Sequence, residues 1–130
     1  MSISVEVSWG ELIDKYTILQ IKLNRIKDEN KLKNIQTEIN ALKLYYDTAH
    51  FINNQLIYLE VSLQTINNLL WDIEDNIRDC EREQDFGTKF IELARNVYHF
   101  NDKRAEIKRE INLLLNSNII EEKSYKSYNV

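Results

Sequence analysis

In the stretch HFNDKRAEIKRE, residues 99–110, Arg104 stands where a cation is costly. Phe90, Leu93, Val97, Phe100, Ile107, Ile111 and Leu114 recur at alternating three- and four-residue steps, the spacing of a helix seam buried against another helix. Arg104 falls on that seam. Burying a guanidinium costs several kcal/mol, roughly, unless it is paired and hydrogen-bonded. Its planar fork suits a phosphate or a carboxylate, which it holds through two parallel hydrogen bonds. In an up-down bundle Arg104 comes near residue 69 of the third helix, and the first helix reaches that level near Asn24. Lys22, Arg25 and Arg104 then converge, with Asn101 and Lys108 one turn to either side and Trp71 as a flat wall. One reading is an anionic small molecule held by these six residues. The other is internal: Arg104 pairs with a carboxylate such as Glu74, or extends to solvent along its stem. Residues 71–85 carry seven acids and two arginines, and residues 89–110 carry six bases and four acids, so the two helices can neutralise each other without a ligand.

A second constellation is acidic. Glu11-x-x-Asp14 and Asp72-x-x-Asp75, with Glu74 between the latter, place pairs of carboxylates along one helix side. Such pairs could hold Mg²⁺, which prefers one or two carboxylates plus substrate phosphates, and this is the alternative reading: an all-α nucleotide pyrophosphohydrolase-like enzyme with Glu11, Asp14, Asp72 and Asp75 as metal ligands. In the up-down layout the two pairs lie roughly 24 Å apart at 1.5 Å per residue, so only contact across a dimer joins them. The simpler account has Glu11 capping its helix, and Asp72, Glu74 and Asp75 solvated or paired with Arg78. The balance is against an enzyme, and no cofactor is expected outside the magnesium reading. Asp85-Phe86-Gly87 lacks every companion of the kinase triplet and reads as a helix–helix turn. Asp47-x-x-His50 is at best half of a bundle metal site.

These residues need positioning elements, and the chain of 130 residues with no proline and two glycines is built to supply helices. With 43% apolar content it forms one domain. Its net charge of −4 argues against nucleic-acid binding, which requires clustered Lys and Arg. No long uncharged apolar run and no basic-then-apolar start is present, so neither a membrane span nor a secretion signal is expected. Cys80, the single cysteine, lies among apolar residues at helical spacing, which points to a free buried thiol and a cytoplasmic location.

The segment ISVEV alternates apolar residues and reads as a short extended arm. Ser8-Trp9-Gly10-Glu11 fits a capping box, with Val7 and Leu12 as a hydrophobic staple. Four helices are expected, at about 9–28, 30–49, 52–84 and 88–116, forming a single domain over 1–116 with a polar tail, 117–130, loosely held. Gly87 should supply a left-handed cap for the third helix and Thr88 a cap for the fourth. The fold class is all-α: an up-down four-helix bundle or helical-hairpin assembly, coiled-coil in its seams, with a long third-fourth hairpin. That hairpin outruns the second helix by about 18 Å and exposes Ile73, Ile77, Cys80, Phe90, Leu93 and Val97, which implies a homodimer.

The strings VEVSWGELIDKYTILQIKLNRI, LWDIEDNIRDCEREQDFGTKFIELARNVYHFNDKRAEIKREIN and EEKSY resemble a family of small bacterial proteins classed only as a domain of unknown function. The resemblance spans nearly the whole chain and carries over no catalytic residue. What it implies is an association with surface-polysaccharide genes. Together with the residues above, the expectation is a small cytoplasmic binding or assembly module, homodimeric, recognising a phosphate- or carboxylate-bearing small molecule.

Overall fold

The computed structural model describes residues 1–128 and contains four helices: α1 (Trp9–Arg25), α2 (Glu29–Ile52), α3 (Leu56–Glu83) and α4 (Thr88–Leu114). The all-α class and the four expected segments stand; the starts of α1 and α4 coincide with expectation and the other ends shift by one to four residues. Local chemistry sets those ends. Ser8 caps α1, its hydroxyl accepting the Glu11 amide at 3.0 Å. Only half of the capping box forms, because the Glu11 carboxylate turns to Lys108 instead. Asp28 caps α2 by accepting the amides of Asn30 and Lys31 at 2.9 and 3.1 Å. Helix α2 runs on to Ile52 and α3 starts only at Leu56, because Asn53 turns the chain, its side chain accepting the Gln55 amide at 2.9 Å.

The third turn departs from expectation. Gln84, not Gly87, takes the left-handed conformation that ends α3, with φ 56°. The Asp85 amide then donates back to the Cys80 carbonyl at 2.9 Å, closing the helix end. Gly87, at φ −83° and ψ −150°, is the residue preceding α4, and Thr88 is already inside the helix. The Asp85 side chain accepts the Gly87 amide at 3.1 Å, an Asx turn that needs no left-handed glycine.

Helix α1 is the centre of the molecule. It packs on α2, α3 and α4, whereas α2 meets α3 only sparingly. Two apolar cores follow. Tyr16 and Leu19 of α1 pack with Ile35 and Ile39 of α2. Ile13, Ala49, Leu56, Leu63, Ile111 and Leu115 draw all four helices together at the other end. Helices α3 and α4 form the expected long hairpin, in which Ile73 and Cys80 are buried. The predicted α1 register is off by about ten residues: Asp14, not Asn24, meets Asn67 of α3 and Arg104 of α4. From Asp14 to Arg25, eleven residues of α1, the partners on α3 advance only from Asn67 to Asp72. Helix α1 is therefore inclined to α3 rather than running level beside it.

The C-terminal segment lies along α4 and contacts it at several points. Ser117 donates to the Ile119 carbonyl, Glu121 reaches Ser8 and Asn112, Glu122 meets Arg109, and Tyr128 packs on His99 and Tyr98. Residues 129 and 130 of the expected tail lie outside the described residues.

Candidate functional site

Asp14 is the pivot. It is fully buried on α1, and Arg104 grips it with one edge of its guanidinium, Nε to Oδ1 at 3.0 Å and a terminal nitrogen to Oδ2 at 2.5 Å. Asn67 of α3 donates its amide to Asp14 Oδ1 and to the Thr17 hydroxyl, both at 3.0 Å, while Thr17 donates to the Asp14 carbonyl at 2.8 Å. Three helices are thus tied at one carboxylate. The bond to Asp14 raises the Arg104 pKa further, against the opposing effect of burial. The carboxylate that Arg104 finds is therefore Asp14, and Glu74 instead binds Arg78 on its own helix.

One turn along, Lys108 donates to Glu11 at 2.7 Å and lies 3.7 Å from Asp14. Another turn on, Asn112 accepts the Gly10 amide at 2.6 Å and donates to Glu121 at 2.9 Å, and Glu121 also accepts the Ser8 hydroxyl at 2.6 Å. Gly10 is required there: a Cβ would stand 2.4 Å from the Lys108 carbonyl oxygen. Burial works against the Glu121 charge, yet hydrogen bonds from Ser8, its own backbone and Asn112, with the Lys108 charge, hold its carboxyl below the usual range.

Of the six residues expected to gather around an anion, the structure keeps two groups apart. Arg25 lies over the Trp71 ring, 5.6 Å from its centroid, and donates to Asp72 at 2.6 Å and Asn68 at 3.2 Å. Lys22 is half-buried and makes no side-chain bond among the described residues. Asn101, Arg104 and Lys108 stay together on α4. They line a cleft of about 140 Å³ between α4 and the C-terminal segment, with Arg109, Asn112 and Lys123, closed by Glu121. Arg104 is the wall between this cleft and a wider groove on its other side, where Trp71, Asp75 and Asn101 line the surface. Two of its five N–H groups serve Asp14 and a third makes a long 3.4 Å contact to Asn101, so part of the fork remains to donate.

The four candidate metal ligands are likewise not brought together. Glu11 and Asp14 face the cations of α4, Asp72 faces Arg25, and Asp75 lines the Trp71 groove. Among the described residues no group of three or more His, Cys, Asp and Glu side chains is placed to hold a metal ion. His50 is engaged elsewhere. Its Nε2 lies 2.5 Å from the buried Glu60 carboxylate without the alignment of a hydrogen bond, and Tyr46 donates to the other Glu60 oxygen at 2.6 Å. Burial, reinforced by the Glu60 bond, pushes the Tyr46 hydroxyl pKa well up, so that tyrosine stays a donor.

Sequence reasoning missed Asn67, Thr17, Asn112, Arg109, Glu121 and Lys123. Asn67 and Asn112 carried a legible signal, since each stands at or beside an apolar seam position where an amide must find partners. Glu121 and Lys123 carried none, because the path of a chain without helical period is not written in its spacing.

Residues 3–129 match the model of a family of unknown function, DUF6165. No curated protein and no solved structure matches the chain.

Proposed function

The chain belongs to that family, and we propose that it is a small helical binding module that takes one anionic group in the cleft between α4 and the C-terminal segment. The observation that carries this is the cleft's lining: Arg104, Lys108, Arg109 and Lys123 converge on it beside Glu121, and although Arg104, Lys108 and Arg109 already meet Asp14, Glu11 and Glu122, each keeps N–H groups to donate. Asp14 supports the reading rather than competing with it. By fixing two N–H groups of Arg104 it pre-organises the fork, and a donor already held in place loses less entropy when a ligand arrives. A space of about 140 Å³ suits a phosphate or carboxylate group and not a whole drug-sized molecule.

The test is thermal unfolding with inorganic phosphate and small carboxylates. A ligand at a hundred times its dissociation constant adds about 2.7 kcal/mol, read as a higher melting temperature. Lys123→Met and Arg109→Met should abolish the rise, and both are exposed enough to leave the core intact. No shift in the parent protein across the series would overturn the proposal.

The same reading takes the protein as an assembly of two copies. Phe51, Ile52, Ile57, Tyr58 and Val61 crowd round the turn between α2 and α3 with their apolar surface exposed, the kind of patch a second copy covers.

A further inference from the structure

The anion cleft does not stand alone. Asn101 and Lys123, which bound it, also bound a second and larger cleft of about 810 Å³ that continues along α4 under the C-terminal segment. Its character is different. Tyr98 and His99 of α4 and Tyr128 of the segment form a ring cluster, with centroids 4.9 to 5.1 Å apart. The Tyr128 hydroxyl and His99 Nδ1, 3.1 Å apart, fix two of the rings to each other. Tyr98 and Tyr128 nevertheless leave 43% and 44% of their surface open, so ring faces remain for a ligand. Asp102 and Glu106 on the same wall are acceptors.

Along α4, Tyr98 and Arg104 are six residues apart, about 9 Å at 1.5 Å per residue. A cationic pocket of one-phosphate size therefore opens into an aromatic platform with carboxylate acceptors, at a spacing that a phosphate–ribose–base unit spans. We propose that the two clefts are one elongated site for a nucleotide, its phosphate held by Arg104, Lys108 and Arg109 and its base stacked on the open face of Tyr98, which the Tyr128 ring, tilted 59° to it, braces. Stacking on tyrosine supplies affinity with any base, and Asp102 and Glu106 accept hydrogen bonds from ribose hydroxyls or an exocyclic amine. This rests on the anion reading above and adds the ligand's second half.

Calorimetric titration of the full chain with AMP, ribose 5-phosphate, glucose 1-phosphate and inorganic phosphate separates the two claims. AMP is expected to bind at least tenfold more tightly than ribose 5-phosphate and than glucose 1-phosphate. In Tyr98→Ala and Tyr128→Ala the ratio of AMP to ribose 5-phosphate affinity should fall toward one. If phosphate and ribose 5-phosphate bind and AMP binds no better, the nucleotide inference fails and the anion site survives. If glucose 1-phosphate binds as tightly as AMP, the platform serves a sugar ring and the nucleotide assignment is overturned. If none of the four binds, the anion reading fails and this inference falls with it.

Discussion

A guanidinium in an apolar seam has found a buried acid, and the energetics of that pair decide what its replacement does. Arg104 is 30% exposed at its side chain while Asp14 is 2% exposed, so the acid depends on the arginine far more than the reverse. Arg104→Met leaves Asp14 buried, with Asn67 and the more distant Lys108 as its remaining side-chain partners among the described residues. Removing one partner of such a pair costs about 3–5 kcal/mol. The expected result is a melting temperature lowered by many degrees, with or without phosphate. The double variant Asp14→Leu, Arg104→Met removes both charges and should recover most of the loss, since apolar residues of similar volume replace buried pairs at little cost. A single variant as stable as the parent would show that the pair contributes nothing. Gly10→Ala tests the same contact from the backbone side. A methyl 2.4 Å from the Lys108 carbonyl must push α1 off α4, an overpacking penalty of about 1–3 kcal/mol in chemical denaturation.

At the scale of elements, what the sequence made legible follows the helical period. All four helices, the α3–α4 hairpin and the seam from Phe90 to Leu114 were readable because three-four spacing is a local property. The inclination of α1 was not, because it is set by partners distant in sequence: Gly10 with Asn112, Glu11 with Lys108, Asp14 with Arg104 and Asn67. Both candidate constellations are thereby divided. Glu11 and Asp14 belong with Arg104 and Lys108, as one charge network, and not with Asp72 and Asp75 or with Lys22 and Arg25. The docked C-terminal segment was the least readable element, and its attachment is titratable. The native Glu121 pKa lies below that of the unfolded chain, so its contribution is fully present above the ordinary glutamate value of about 4.3 and is lost as pH falls through the lowered native value. The hydrogen-exchange protection of residues 117–128, measured relative to the intrinsic exchange rate at each pH, should accordingly fall in acid while that of the helices persists. In Glu121→Gln the segment should be loosened already at neutral pH, because a neutral amide cannot replace a carboxylate accepting from Ser8 and Asn112 beside Lys108. Equal protection of the segment at neutral and acid pH would contradict this account.

The whole molecule exposes apolar surface unevenly, and that distribution bears on where the proposed second copy would sit. The expected place was the end of the α3–α4 hairpin, where Ile73 and Cys80 are buried, Ile77, Phe90, Leu93 and Val97 are half-buried within the chain, and Phe86, 48% exposed, and Ile91, 54% exposed, leave apolar surface open. At the opposite turn Phe51, 91% exposed, and Tyr58, 75% exposed, are left uncovered by the described residues, and Ile52, Ile57 and Val61 extend the same surface. The reason is the layout. Helix α2 leans on α1 and meets α3 only sparingly, so the outer faces of both helices at this end remain open. A two-fold interface brings such a patch onto its own copy and hides it twice over. Light scattering after size exclusion should therefore give about twice the chain mass of 15.6 kDa. Phe51→Asp and Tyr58→Asp place a charge on a surface that is open in one copy and closed in two, so each should return the protein toward the chain mass while the helical content is kept. Ile77→Asp acts on the inside of the hairpin, where burying an unpaired carboxylate weakens α3 against α4, and should lower the melting temperature instead of selectively splitting the dimer. A parent protein that elutes at the chain mass over a wide concentration range would remove the dimer. A dimer split by Ile77→Asp without loss of stability, and untouched by Phe51→Asp, would return the interface to the hairpin end.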